Sequence, residues 1–274
     1  MLKLAVIGAQ TLLGREVVGA LEPQDCSVLP LATGALTVEE EEGDLVVFAP
    51  SPELLKEIDL IILADIPQDL AMLDGFPGRI LDLRHDSNPK LEPMPLAGEW
   101  VQGVTAYRAR PALEQVLGLL PHLVSGFSEV AGTHLRSVGH MGDLGLDGLL
   151  EQSVELLQGN DPGIGKLGYR AAFEVIPQIP RGNLIEVKVP VFHGEILILH
   201  LQAQAGTVLA PLEAPLGVKW ADHPPSSRDV SISAELLAHL SLGPEGRTGV
   251  LTLGFDPILW GILRPMLRIL GLAS

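Results

Sequence analysis

The chain has 274 residues and only one cysteine, Cys26. A single cysteine excludes an internal disulfide and any metal site built from several cysteines. No uninterrupted apolar run reaches the roughly 18 residues that a membrane-spanning helix needs, and the segment after Met1 is strand-like rather than a signal peptide. We therefore expect a soluble protein of a reducing compartment and predict a cytoplasmic location.

Basic residues are also scarce, because 18 Lys and Arg stand against 34 Asp and Glu and leave a net charge of −16. Such a surface repels phosphate backbones and anionic lipids, so we expect neither a nucleic-acid nor a membrane partner. The eight histidines show no pair spaced around a glutamate, and the acids show no calcium-loop spacing. No metal site is predicted.

What the chain has is enough apolar sequence, 47 %, to fold as one large domain or two smaller ones. In the first half, apolar runs typical of strands alternate with helical patterns, which favours a parallel, Rossmann-like α/β sheet. The predicted strands are residues 2–7, 27–32, 45–48, 60–64 and 79–83, and the predicted helices are residues 13–21, 52–58 and 111–124.

The second half has a different pattern, with a helix over residues 146–157 and alternating strands between residues 184 and 204. We predict an α+β domain with an antiparallel sheet covered on one face. The predicted division is residues 1–124 with 256–274, and residues 125–255. An uncovered apolar sheet face predicts a two-fold homodimer through the second domain.

A glycine-containing turn follows the first strand and opens the first helix, as a dinucleotide-binding fingerprint requires. Gly8 and Gly14 occupy the positions of the tight turn and of close helix–strand packing, but Thr11 stands where a glycine normally lets the backbone approach the pyrophosphate. The candidate cofactor-binding residues are Gly8, Gln10, Thr11, Leu12 and Gly14.

Several short blocks resemble aspartate-semialdehyde dehydrogenases in the same order along the chain. They are Ala-Val-Ile-Gly-Ala at 5–9, Ala-Phe-Glu-Val-Ile-Pro at 172–177, Val-Pro-Val-Phe-His-Gly at 189–194 and Ser-Arg-Asp-Val-Ser at 227–231, followed by Asp256 and Gly261. The resemblance implies a Rossmann-like first domain and a second, semialdehyde-dehydrogenase-type α+β domain that dimerises.

The resemblance also implies a mechanism in which a cysteine thiolate forms a thioester, a histidine moves the proton, an arginine grips the substrate carboxylate and NADPH supplies hydride. The corresponding positions of this chain hold other residues. The cysteine position falls on Arg110 or Pro111, the histidine position on Glu195 and the arginine position on Lys188. Cys26 cannot replace the nucleophile, because it lies between the first helix and the second strand.

Three further positions concern the cofactor and the proton. The segment 32–34 has no cation for a 2′-phosphate, and Pro257 stands where the family has an asparagine near the nicotinamide. His193 lies two residues before Glu195 and is expected in a turn or on the surface. We predict that no cofactor is held, with weak NAD or NADP binding as the alternative.

The main prediction is a non-catalytic, dimeric homologue of aspartate-semialdehyde dehydrogenase that serves as an interaction or regulatory protein and can pair with a true dehydrogenase. In it Lys188 and Glu195 are expected to form an ion pair. The alternative is an NAD(P)-dependent oxidoreductase that acts on an aldehyde or acyl substrate without a thioester. A third reading, a membrane-peripheral scaffold, would use the apolar segment 259–272.

Overall fold

The structure is a computed structural model that describes residues 1–34, 45–84, 89–95, 99–178 and 182–272. Its contacts define two compact units, Met1–Pro111 with Gly261–Ser274, and Ala112–Trp260. Relative to the division predicted from sequence, residues 112–124 and 256–260 belong to the second unit.

The first unit is built on a parallel sheet of six strands, which confirms the Rossmann-like prediction. Its strands lie in the order β2-β1-β3-β4-β6-β5. Its elements are β1 (Leu2–Ile7), α1 (Leu12–Leu21), β2 (Cys26–Leu31), α2 (Pro52–Leu55), β3 (Leu60–Leu63), β4 (Arg79–Asp82), β5 (Glu92–Pro93) and β6 (Ala106–Arg108). The neighbouring interior strands β1 and β3 are buried over most of their length, as continuous apolar runs in a parallel sheet require.

One predicted strand of this unit is wrong. Within residues 45–48, only Phe48 makes a bridge, to Leu31 of β2. Residues 35–44, which precede it, lie outside the described part of the chain. Phe48 is 47 % exposed, so little burial favours extending the pairing.

The second unit contains a seven-stranded sheet in the order β13-β14-β15-β11-β8-β10-β9 and a separate pair, β12 with β7. Its elements are α3 (Ala112–Gly118), α4 (Leu120–Leu123), β7 (Val124–Ser125), β8 (Phe127–Arg136), α5 (Asp143–Leu157), β9 (Ile176–Pro177), β10 (Leu184–Lys188), β11 (Glu195–Ala203), β12 (Ala210–Pro211), β13 (Val218–Trp220), α6 (Ser227–Ser231), β14 (Leu236–Leu242) and β15 (Thr248–Phe255). The large sheet is mixed rather than antiparallel, because β10 pairs with β8, and β13 with β14, in parallel.

The helix predicted over residues 111–124 is two helices, α3 and α4, with Leu119 between them. Pro121 stands in the first turn of α4, where its missing N–H leaves no hydrogen bond unmade. Val116 of α3 and Leu123 of α4 share a core with Leu197 and Leu199 of β11. These helices therefore cover one face of the sheet.

The opposite face of the sheet is partly covered by α6 and otherwise open. Val230 of α6 packs against Gly254 at one end of this face. Further along the strands the face carries Glu129, His200 and Gln202, which are exposed. Ile196 and Ile198 of β11 also lie on this face, and Ile185 of β10 is 40 % exposed on it. The open part of the sheet therefore carries both apolar and polar side chains.

The chain ends with a π-helical turn, Leu259–Leu263, and α7 (Arg264–Ile269), which belongs to the first unit. The Ile269 carbonyl accepts a hydrogen bond from the Trp100 N–H, and Arg268 donates to the Pro95 carbonyl. Among the described residues, no helix has both the length and the apolarity to cross a membrane.

The two glycines of α1 provide a matched test of the packing at the glycine-containing turn. A Cβ on Gly14 would lie 2.0 Å from the carbonyl oxygen of Gly8, whereas a Cβ on Gly19 would meet nothing within 4 Å. We expect Gly14→Ala to lower the free energy of unfolding by about 1–3 kcal/mol, as overpacking does. Gly19→Ala should raise it by up to about 1 kcal/mol through helix propensity.

Urea titration of both variants and the wild type measures this difference. Equal effects of the two substitutions would contradict the close approach of helix and strand.

Candidate functional site

Three adjacent strands of the second unit place five ionisable side chains on one face of the sheet. In the register of β10 and β8, Lys188 lies opposite Arg136 and Glu186 opposite His134. The register of β11 and β8 brings Glu195 to the same end, beside Arg136. Residues opposite one another on neighbouring strands share a face. The sequence blocks around residues 134 and 195 therefore meet here, although they lie far apart in the chain.

The central contact of this cluster joins His134 and Glu195. The Nε2 atom of His134 lies 2.8 Å from the Oε2 atom of Glu195, and their side chains are only 3 % and 2 % exposed. The imidazole stacks on Phe255, with ring centroids 6.1 Å apart. The contact joins a ring nitrogen to a carboxyl oxygen, so one hydrogen lies between the two atoms.

Two buried polar atoms of this pair make no hydrogen bond. Within the described part of the chain, neither His134 Nδ1 nor Glu195 Oε1 has a hydrogen-bond partner. A buried carboxylate that has lost water needs strong compensation, and the histidine is the partner that supplies it. The Glu195 side chain therefore points to His134 of β8 and away from solvent.

Lys188 makes a different contact from the predicted one. Its Nζ atom lies 3.9 Å from the centre of the Tyr169 ring, a cation–π geometry. Burial raises the pKa of the Tyr169 phenol above its ordinary value, so the ring beneath the ammonium stays neutral. The predicted ion pair of Lys188 with Glu195 is wrong, because β8 lies between their strands and its His134 takes the carboxylate.

A half-buried ion pair flanks this arrangement. Arg136 Nη1 lies 3.1 Å from Glu186 Oε1, with side chains 26 % and 30 % exposed. His193, by contrast, is exposed in the bend before β11, where sequence placed it. The cluster thus consists of one fully buried acid–base pair and a partly solvated charged edge.

The predicted thiol position lies in the first unit. Arg110 donates from Nε to the Met94 carbonyl at 2.8 Å, and Arg108 donates from Nε to the Leu91 carbonyl at 3.1 Å. Pro111 is exposed immediately before α3. The arginine side chain therefore anchors the β5 segment. Neither residue offers a nucleophilic atom.

The one cysteine has none of the features of a reactive thiol. Cys26 begins β2, and its Sγ lies 3.5 Å from the Leu21 carbonyl oxygen. Burial raises the pKa of the Cys26 thiol, which disfavours the thiolate.

The candidate cofactor residues lie together where β1 leads into α1, and their hydrogen bonds show two distinct roles. Gly8 has a φ of +86°, which suits glycine at the tight turn. The Thr11 hydroxyl donates to the Gly8 carbonyl at 2.8 Å and accepts from the Gly14 N–H at 3.1 Å. Thr11 is thus the N-cap of α1, and its side chain uses a donor that a phosphate would otherwise meet.

The neighbouring end of β2 is also filled by protein side chains. Gln10 Nε2 donates to the Thr33 hydroxyl at 3.2 Å. The carboxamide of Gln68 lies against Gly34, only 2.1 Å from where a Cβ would stand. This is the region that takes the ribose in dinucleotide-binding folds. The residues here do not fit a 2′-phosphate, because no described cation is in contact with them.

Two remaining predictions concern the C-terminal block and metals. Asp256 caps the following turn by accepting from the N–H groups of Ile258 and Leu259, so Pro257 lies at a helix start and supplies no amide side chain. Among the described residues, no group of three or more His, Cys, Asp or Glu could hold a metal ion.

Sequence reasoning missed His134 as a site residue. It lies in β8, whose sequence Phe-Ser-Glu-Val-Ala-Gly-Thr-His-Leu-Arg has no clear apolar alternation. The sequence did contain one indication of this contact. Glu195 begins an apolar strand, and a buried carboxyl group there needs a polar partner from elsewhere in the chain.

The buried pair predicts strong energetic coupling. Glu195→Leu and His134→Leu should each lower the free energy of unfolding by about 3–5 kcal/mol, because each leaves a buried polar partner uncompensated. The double variant should recover most of that loss, since it removes both groups. Urea unfolding of the four proteins gives the coupling directly.

Glu186→Leu is the matched control, because its partner Arg136 remains partly hydrated. We expect it to cost about 1 kcal/mol or less. A double variant as unstable as the sum of its singles would show that the contact carries no coupling.

No family model and no curated protein sequence matches this chain. Solved structures do match it. A probable aspartate-semialdehyde dehydrogenase from Pseudomonas aeruginosa has a TM-score of 0.71 at 18 % identity, and each chain is covered over 97 % of its length. Aspartate semialdehyde dehydrogenase II complexed with ASA, from Vibrio cholerae, has a TM-score of 0.73 at 16 % identity, covering 98 % of this chain and 97 % of that one. The enzyme from Francisella tularensis has a TM-score of 0.68 at 14 % identity, with 99 % of each chain covered. The chain therefore has the fold of the aspartate-semialdehyde dehydrogenases over nearly its whole length.

Proposed function

We propose that this protein is a non-catalytic homologue of aspartate-semialdehyde dehydrogenase that acts as a dimeric interaction or regulatory protein. The observation that carries the proposal is the burial of Glu195 against His134. At the position of the family's proton-moving histidine, this chain has a carboxylate that is closed off from solvent and occupied by a partner. A general acid or base must instead reach the proton it transfers.

The other contacts support the same conclusion. Lys188, at the position of the carboxylate-gripping arginine, lacks the planar fork that matches a carboxylate and lies over Tyr169. Arg110 and Pro111, at the thiol position, cannot form a thioester. Residues of a catalytic unit act together and their effects are not additive, so restoring one of three altered positions does not restore the reaction.

The cofactor region supports weak or absent NADP binding. Thr11 caps α1 with its hydroxyl, and Gln10 and Gln68 occupy the end of β2. Loss of two or three charge-assisted hydrogen bonds, each contributing about 1.5–3 kcal/mol, moves a micromolar site toward millimolar affinity. NAD, which lacks the 2′-phosphate, should lose less.

One observation favours the alternative, an NAD(P)-dependent oxidoreductase that works without a thioester. The Gly8 turn and the close packing of Gly14 on it retain the backbone form of the dinucleotide fingerprint. In that function direct hydride transfer to an aldehyde or acyl substrate would need nucleotide and substrate held together.

We expect no phosphate-dependent oxidation of aspartate semialdehyde, even at high protein concentration. Because the thiol is only one of the altered positions, Arg110→Cys and Pro111→Cys should not create turnover. Nicotinamide absorbance measures the rate, and calorimetry with NADP⁺ on the same preparations should show no micromolar binding.

Cys26→Ser is the control for a misassigned nucleophile. Wild-type turnover that disappears in this variant would establish an enzyme and overturn the proposal. Turnover that persists in it, with micromolar nucleotide affinity, would support the oxidoreductase alternative.

A surface that supports a homodimer lies on α5 of the second unit, in addition to the open face of the sheet. Leu150, Val154 and Leu157 recur at helical spacing and are 56 %, 41 % and 77 % exposed. A contiguous apolar stripe on a protein with a net charge of −16 marks a contact surface. A second copy, or a true dehydrogenase of the same fold, could bury it.

Light scattering should give twice the chain mass of 29.2 kDa at micromolar concentration. The double variant Leu150→Glu with Leu157→Glu should shift the mass to that of one chain, because it places like charges in the contact. The control is Leu216→Glu with Ile232→Glu, which adds the same charge at residues 85 % and 81 % exposed elsewhere on the unit. A wild-type mass of one chain would refute self-association.

A further inference from the structure

A histidine and a serine on β14 form a second constellation, separate from the cluster around Glu195. His239 and Ser241 stand two positions apart on the strand, so both side chains point to the same face. His239 Nδ1 lies 3.0 Å from the carbonyl oxygen of Ala221, and its Nε2 lies 3.1 Å from Ser241 Oγ. The imidazole is thus held between a carbonyl and a hydroxyl.

This arrangement selects one tautomer of the neutral ring. A carbonyl oxygen only accepts, so Nδ1 carries the hydrogen and Nε2 carries the lone pair. The Ser241 hydroxyl then donates to Nε2. A hydroxyl paired with a base that a third group orients is the arrangement of an activated serine nucleophile.

Ser241 is accessible to a small substrate. It is exposed and lines an open cleft of about 690 Å³, together with His200, Gln202 and Thr248. This volume lies within the range of small-molecule sites. His239 lines a second cleft of about 470 Å³, together with Trp220 and Glu213.

The polar side chains of His200 and Gln202 line the same cleft as Ser241. Ser241 lies opposite Val250 on β15, and Val250 lies opposite His200 on β11. Two strand spacings separate the backbones of Ser241 and His200 by about 10 Å, a gap that the two side chains and a small acyl group can span. The Gln202 amide follows on the same face of β11 and also lines the cleft.

We propose that Ser241, activated by His239, is a nucleophile toward small carboxylic esters with good leaving groups. The Oγ–carbon bond forms as the carbonyl π bond opens, and the Ser241 proton passes to His239 Nε2. The tetrahedral intermediate then expels the alkoxide or phenoxide, which takes that proton, and leaves an acyl-serine. Water hydrolyses the acyl-serine with His239 as the base, which returns the free serine and a carboxylic acid.

This site is independent of the proposed function. It contains neither a residue of the Glu195 cluster nor a residue of the apolar stripe on α5. Its failure would therefore leave the non-catalytic, dimeric proposal unchanged, and failure of that proposal would leave this one unchanged.

A fluorophosphonate probe tests the nucleophile in the full chain, because Oγ of an activated serine displaces fluoride and retains the phosphonyl group. We expect one adduct per chain by intact mass, mapped to Ser241 by peptide sequencing. Ser241→Ala should abolish the adduct, and His239→Gln should slow labelling by about 100-fold, the lower end of general-base contributions. Hydrolysis of p-nitrophenyl acetate should fall in parallel.

Ser128→Ala is the matched control, because Ser128 is an exposed strand serine whose hydroxyl donates to a carbonyl rather than to a histidine. It should label at the wild-type rate. Unchanged thermal unfolding of all three variants would exclude misfolding as the cause. Absence of the adduct in the wild type, or an adduct that persists in Ser241→Ala, would overturn the proposal.

Discussion

The cost of removing a carboxylate from water shapes the second unit around Glu195. This residue begins β11, whose inward side chains Leu197, Leu199 and Leu201 form the core under α3 and α4. A charged group continuing that row loses its hydration, and only a well-placed partner offsets the loss. His134 on the neighbouring strand supplies it. The strand pairing of β8 with β11 and the stacking on Phe255 both hold that histidine in place.

That one contact also explains the surrounding charges. Glu195 lies in the same cross-strand row as Lys188 but is bound to His134, and Lys188 lies over the Tyr169 ring instead. Arg136 turns to Glu186 at the more solvated edge. The buried pair, His134 with Glu195, therefore lies at the centre of the cluster. The partly exposed pair, Arg136 with Glu186, lies at its edge. The contact at the centre links β8 to β11 and so contributes to the stability of the sheet.

The first unit shows that a nucleotide-binding fingerprint has two separable halves. The glycines at positions 8 and 14 are required by backbone geometry, since a side chain at Gly14 would overlap the Gly8 carbonyl. Phosphate binding, by contrast, depends on backbone N–H groups at the start of α1 that have no partner within the protein. One of the N–H groups there, that of Gly14, donates to the Thr11 hydroxyl, which caps the helix. A sequence can thus keep the backbone turn while one N–H group at the start of the helix is bound by the protein's own side chain.

Sequence by itself determined the features that depend on short-range pattern. Continuous apolar runs located β1, β3 and β4, helical spacing located α1 and α5, and the order of the family-like blocks indicated the two-part fold. Tertiary structure decided the partners. His134 was not assigned, because β8 lacks a clear alternation, and the parallel pairing of β10 with β8 cannot be read from either strand alone. The contact of Glu195 was decided by which strand lies beside β11, and this depends on the packing of segments about 60 residues apart in the chain. The local sequence pattern determines which residues favour burial. The register between strands that are distant in the chain determines which side chain a buried charged group contacts.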